Sequence, residues 1–316
     1  MSSDVLAPDL LEPHLSRTLL TLELYNCGPG LGWPALQAAC QTLVALQHLH
    51  LRGFAADPTT TDGVAAPTSF TLSHCALRTL TVDSHTGSRY TYDEHVSLDR
   101  LCIERCHELR ELMVCLRQKP AYPTDAPVGA RIVDCGKLQK VFLATRHDYT
   151  PPEGVASVMS EADIAEFGAT CRAVHTVGFG MCIAIGAREI RALCATSRSL
   201  KRLEMNHCVI LGTGDQAFSL HIESPSLHAV AYVSRYNYDP KRGDDTLAIR
   251  VVNCPLLCAM RLHAFTLCSV ALSNCPVLKC VEVSTLFVFV CASMSFGIPF
   301  SPTVPNTALC MKHSRG

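Results

Sequence analysis

Charge is scarce in this chain. Only 17% of its 316 residues are charged, and they sum to a net −1. No long run of one sign occurs in the sequence. A nucleic-acid binder is expected to show a basic stripe of Lys and Arg, and none is visible in the linear order. The spacings of common reactive sites are missing too. LGTGD at 211–215 lacks the Lys-Ser/Thr of a phosphate loop, and GPGLG at 28–32 lacks the dinucleotide-binding spacing. No Cys-x-x-Cys pair is followed by a second pair, the arrangement that structural zinc demands. His74-Cys75 and His207-Cys208 are poor ligand pairs in a strand, because adjacent side chains point to opposite faces.

Long apolar runs are lacking as well. The longest candidate, TLFVFVCASMSFGIPF at 285–300, falls short of the ~20 residues of a membrane-spanning helix. It also contains Ser293, Ser295, Gly297 and Pro299. A final buried strand with an apolar cap is the expectation, and membrane insertion is the weaker alternative. MSSDVLAPDLL at the start has no basic segment followed by a long apolar stretch. Eighteen cysteines could suggest a disulfide framework, but most fall inside apolar segments. Reduced, buried cysteine in a cytoplasmic or nuclear protein is therefore expected.

What the chain does have is a repeat. From Ile164 onward, a step of 26 residues places Ile164 on Ile190, Phe167 on Leu193, Val174 on Leu200, Val177 on Leu203, Phe179 on Met205 and Cys182 on Cys208. A period of this length marks a stacked architecture. The short unit Leu-x-x-Leu-x-Leu-x-x-Cys appears as LLTLELYNC at 19–27, LDRLCIERC at 98–106 and LKRLEMNHC at 200–208. Substituted or partial copies begin at Leu46, Leu77, Leu138, Val174, Leu227, Leu257 and Leu278. The alternation within each copy predicts a strand with one buried face, and the closing Cys is expected to line a ladder. Helical spacing appears between some copies, at 33–46, 160–173 and 187–197. Ser160 is placed as an N-cap and Pro34 at a first helical turn. Beyond Cys208 the Cys254–Cys275 step is only 21 residues, so those coils should close through extended chain.

Strands ending in Cys and helices ending in Cys-x-x-Leu resemble the cysteine-containing, ribonuclease-inhibitor-like leucine-rich repeats, common in F-box adaptors. That resemblance implies an α/β, irregular leucine-rich-repeat solenoid (a horseshoe) of about ten strands, with a parallel sheet on its concave face. The expected organisation is an N-terminal extension at 1–18, a solenoid at 19–284, and an apolar segment and tail at 285–316. Polar or Pro/Gly-rich insertions fall at 55–69, 84–97, 117–130, 144–159 and 234–246.

Solenoids characteristically work by presenting a surface. The expected function is a non-catalytic protein-interaction scaffold, with no metal, no cofactor and no nucleic acid; a fixed subunit of a larger assembly is one form of that role. Candidate partner-binding residues on the concave strands are Tyr25, His50, Arg52, Glu104, Glu204, Asn206, Arg261, His263 and Glu282. Tyr236 and Tyr238 join them from the insertion at 234–246. The resemblance implies two alternatives. One is the substrate-recognition subunit of a ubiquitin ligase, although the residues ahead of Leu19 are too few for a three-helix F-box. The other is a GTPase-activating regulator using an exposed arginine such as Arg52, Arg105 or Arg146.

Overall fold

A computed structural model describes residues 17–25, 33–52, 69–73, 75–83, 98–116, 129–145, 156–180, 183–211, 219–233, 247–287 and 308–311. The leucine units, apart from the copy at 98–106, become rungs of one long parallel ladder. Its strands are β1 (Thr21–Tyr25), β2 (His48–Arg52), β4 (Thr79–Asp83), β6 (Glu111–Cys115), β8 (Lys140–Ala144) and β9 (Thr176–Gly180). It continues through β11 (Arg202–Asn206), β14 (Ala229–Val233), β16 (Ala259–Ser273), β17 (Cys280–Phe287) and β18 (Ala308–Met311). The 26-residue step reappears as the pairing of Thr176 with Arg202. Alternation explains the ladder: Leu49 and Leu51, Leu80 and Val82, Leu203 and Met205, and Val230 and Tyr232 are all 2% exposed or less. Each such side chain contributes about 1.5–3 kcal/mol through burial.

The strands between these rungs build an opposite wall. It begins as β3 (Ser69–Ser73), β5 (Arg100–Glu104) and β7 (Gly129–Val133), paired in that order. β10 (Ala184–Gly186) with β12 (Val209–Leu211) forms a second piece, and β13 (Ser219–Glu223) with β15 (Leu247–Val252) a third. β16 serves both walls. Ala259–His263 pairs with β14, and the stretch from Leu267 to Ser273 pairs with β15. The extended closure expected near Cys254 and Cys275 is thus present. It is also present in the first third of the chain, where the sequence reading had placed a ladder strand.

Among the described residues, helices α1 (Trp33–Thr42), α2 (Glu161–Thr170) and α3 (Ala187–Thr196) add to the wall. Ser160 caps α2 by accepting the Asp163 N–H at 3.1 Å, which satisfies an otherwise orphaned donor. Ile164 and Phe167 of α2, and Ile190, Leu193 and Cys194 of α3, turn inward. The two helices pack closely because residue 168 is glycine. A Cβ there would lie 2.2 Å from Thr196 Oγ1.

The corner between the walls carries a cysteine stack, with a correction to its membership. The stacked thiols lie in the turns that lead into ladder strands: Cys106, Cys135, Cys254 and Cys275 open Cys-x-x-Leu, Cys171 opens Cys-x-x-Val, and Cys75 stands two residues before Leu77. Ser197 and Ser224 fill the same position in the intervening coils. Cys208, by contrast, follows a ladder strand, so the closing Cys of the Leu unit does not define this stack. Cys75 and Cys106 sulfurs are 3.2 Å apart. Cys135, Cys254 and Cys275 each donate to the carbonyl two residues earlier, at 3.4 Å. Arg105, Asp134, Asn253 and Asn274, immediately ahead of four of these thiols, have φ of 53–54°. Asp and Asn tolerate this left-handed region better than most residues.

Insertions 84–97 and 234–246 lie outside the described residues. The other three overlap regular structure at their edges: Ser69 opens β3, Gly129 opens β7, and Ala144 closes β8. Among the described residues no helix is long and apolar enough to cross a membrane. Residues 285–287 of the apolar segment belong to β17.

Candidate functional site

With Leu and Val turned inward, the intervening residues of the ladder strands from β1 to β17 form in-register rows on the outer face. One row runs Glu23, His50, Thr81, Met113, Phe142 and Gly178, and continues through Glu204, Ala231, Arg261 and Glu282. A parallel row holds Tyr25, Arg52 and Asp83 at one end and Asn206, Val233 and His263 at the other. The structure therefore brings eight of the expected residues to one face: Tyr25, His50, Arg52, Glu204, Asn206, Arg261, His263 and Glu282.

Glu104 is a correction. It lies on β5, whose partners are β3 and β7, so it belongs to the opposite wall. There it is ion-paired with Arg131, which also reaches Glu166 at 3.0 Å and Asp163 at 3.7 Å. Burial, followed by the Glu104 carboxylate, raises the Cys102 thiol above its ordinary pKa. The segment 98–106 misleads because the opposite wall uses the same apolar alternation as the ladder. The ladder strand of that coil is β6, announced by Leu109-x-x-Leu112-x-Val114. Tyr236 and Tyr238 lie outside the described residues.

The face divides into three chemically different zones. At the β1 end, Tyr25 is 53% exposed and donates to Glu23 at 2.7 Å. This bond to a carboxylate raises the Tyr25 phenol above its usual pKa. The Arg52 guanidinium lies 5.8 Å from the Tyr25 ring centre and 3.6 Å from Asp83, a cation–π arrangement backed by an ion pair. At the other end, Glu282 receives Arg261 at 2.9 Å and approaches His263 at 3.5 Å.

Between them the face is apolar. Met113 is 41% exposed, and the Phe142 ring lies across the neighbouring strand. Gly178 and Gly180 make that possible: a Cβ at either would come within 2.3 and 2.6 Å of the ring. Lys140–Glu111 at 2.8 Å and Arg202–Glu204 at 3.0 Å flank this zone. Exposed pairs of this kind contribute little to stability, so the zoning matters as surface chemistry. Sequence reasoning missed Met113 and Phe142. Their signal was the outward position in the copies beginning at Leu109 and Leu138.

Among the described residues no three His, Cys, Asp or Glu side chains are grouped to hold a metal ion. Comparison of the sequence with family models and with curated proteins returns no match.

Proposed function

We propose that the protein is an interaction scaffold whose long ladder face, the concave sheet of a leucine-rich-repeat horseshoe of the cysteine-containing kind, binds another protein. The observation that carries this is the exposed apolar zone around Met113 and Phe142, set between two polar clusters on one continuous face. Apolar and aromatic groups ringed by charged ones are the composition of an interface core with its rim. Tyr25 and Arg52 are the anchoring pair at one end, and Arg261, His263 and Glu282 form the rim at the other.

The test is affinity capture from native extract under reducing conditions, comparing the wild-type chain with Met113→Asp and with Arg52→Ala/Tyr25→Ala. The reading requires a reproducible set of proteins whose capture falls at least severalfold with the face variants. Recovery of a cullin and its linker among them would specify a ubiquitin-ligase substrate receptor. An unchanged set in both variants would overturn the assignment of the face.

A further inference from the structure

The residue just before each ladder strand from β2 to β17 forms a row of its own. Its members are joined rung to rung by backbone hydrogen bonds: Arg78 to Gln47, Arg110 to Arg78, Gln139 to Arg110, His175 to Gln139, and Lys201 to His175, at 2.7–3.0 Å. His228, Cys258 and Lys279 continue it at 2.8–3.0 Å. Residues about 30 apart in sequence are thereby brought to the ~4.8 Å spacing of neighbouring strands. The cations on this edge are out of proportion to a chain of net charge −1.

Six of them, Arg78, Arg110, Arg172, Arg198, Lys201 and Lys279, are exposed and have no carboxylate partner among the described residues. Arg172 and Arg198 enter from the turns after Cys171 and Ser197. The nearby acids are already engaged. Glu108 is bound to Lys137 and also feels Arg78 and Arg110, which together lower its pKa, with the Lys137 bond the largest cause. Glu111 is paired with Lys140. The backbone of the edge is saturated by its own ladder bonds, so recognition there falls to side chains.

We propose that this edge is a second docking surface, and that its occupant is an acidic polypeptide segment lying across the strands. The inference rests on the protein-binding reading but uses a different surface. The linear sequence conceals this stripe because each coil contributes only one or two cations. A polyanionic partner gains long-range attraction from such an array. A peptide fits better than a nucleic acid for two reasons. The row contains no Phe, Tyr or Trp on which bases could stack. Glu108 and Glu111 also interrupt it with carboxylates that a continuous phosphate chain would have to pass.

The experiment is fluorescence anisotropy with a fluorescein-labelled alternating Glu–Ser peptide at low and physiological ionic strength. Wild type should bind saturably and lose affinity as salt is added. Arg110→Glu with Lys201→Glu should weaken binding by about tenfold or more, and Arg198→Glu should do so by less. All three positions are exposed, and thermal melts by circular dichroism confirm that the variants are folded. Met113→Asp should leave peptide binding unchanged. Absence of peptide binding, or indifference to the double charge reversal, would overturn the edge, as would an oligo-dT of equal charge that outcompetes the peptide. Those results leave the ladder-face reading standing. Conversely, captured proteins that ignore the face variants would remove that reading while a charge-sensitive peptide site survives.

Discussion

The two walls are wound from the same chain in alternate strands, yet only one keeps a constant form. The long ladder pairs parallel from β1 to β18, although the step between equivalent residues ranges from 21, Ala259 to Cys280, to 36, Lys140 to Thr176. The opposite wall absorbs that variation. It passes from α1 with β3–β5–β7, through α2 and α3 with β10–β12, to β13–β15 and the second half of β16. The difference teaches what each side has to do. A ladder strand must present alternate apolar side chains in register, because a one-residue slip would expose all of them. The opposite wall need only cover that core, and a strand or an amphipathic helix does so equally well.

Truncating a side chain on each wall sharpens the contrast most. Phe179 is 1% exposed and sits between β8 and β11, so Phe179→Ala should lose about 3–5 kcal/mol in urea unfolding. Phe70 is equally buried but lies on β3, which among the described strands pairs only with β5 and packs beside Trp33. Phe70→Ala should cost less, and equal losses would mean that the walls contribute alike. Gly168→Val should cost about 1–3 kcal/mol by forcing α2 and α3 apart. Hydrogen exchange should then show the damage in those helices, with β9 and β11 still protected.

Alkali should also find the opposite wall first. Burial pushes the thiols of Cys40 in α1 and Cys194 in α3 from 9.0 up to about 12. Their contribution is complete below the unfolded value near 9 and is lost as pH rises from 9 towards 12. The slope is about 1.4 kcal/mol per pH unit for each thiol. A stability profile flat over that window would contradict the burial of both groups. The smallest effect is Ser160→Ala, about 1 kcal/mol from the lost N-cap, read from the melting temperature.

How far the sequence speaks depends on whether a residue acts within its own coil. Most ladder strands, the Ser160 cap and the three helical stretches are local patterns, and they were legible; β6 and β18 were not among the copies read. α1 nevertheless ends at Thr42, short of the pattern's extent to Leu46. Glu104 was misassigned because alternation in Leu101 and Ile103 states that a strand has a buried face without saying which wall it joins. Met113 and Phe142 went unnoticed because an apolar residue in an outward position looks like a deviation from the unit. The zone becomes visible only when Gly178 and Gly180 are laid beside the Phe142 ring. The basic edge is a sum over coils, and no window of sequence contains it.

The register steps carry one more consequence. Every rung of the ladder joins residues no more than 36 positions apart, so no distant part of the chain must be found before a coil can close. Parallel sheets usually fold slowly because their partners are remote. Here each new coil can settle on the one before it, as a growing crystal adds a layer to its last face. A chain emerging from the ribosome could therefore assemble in the order in which it is made.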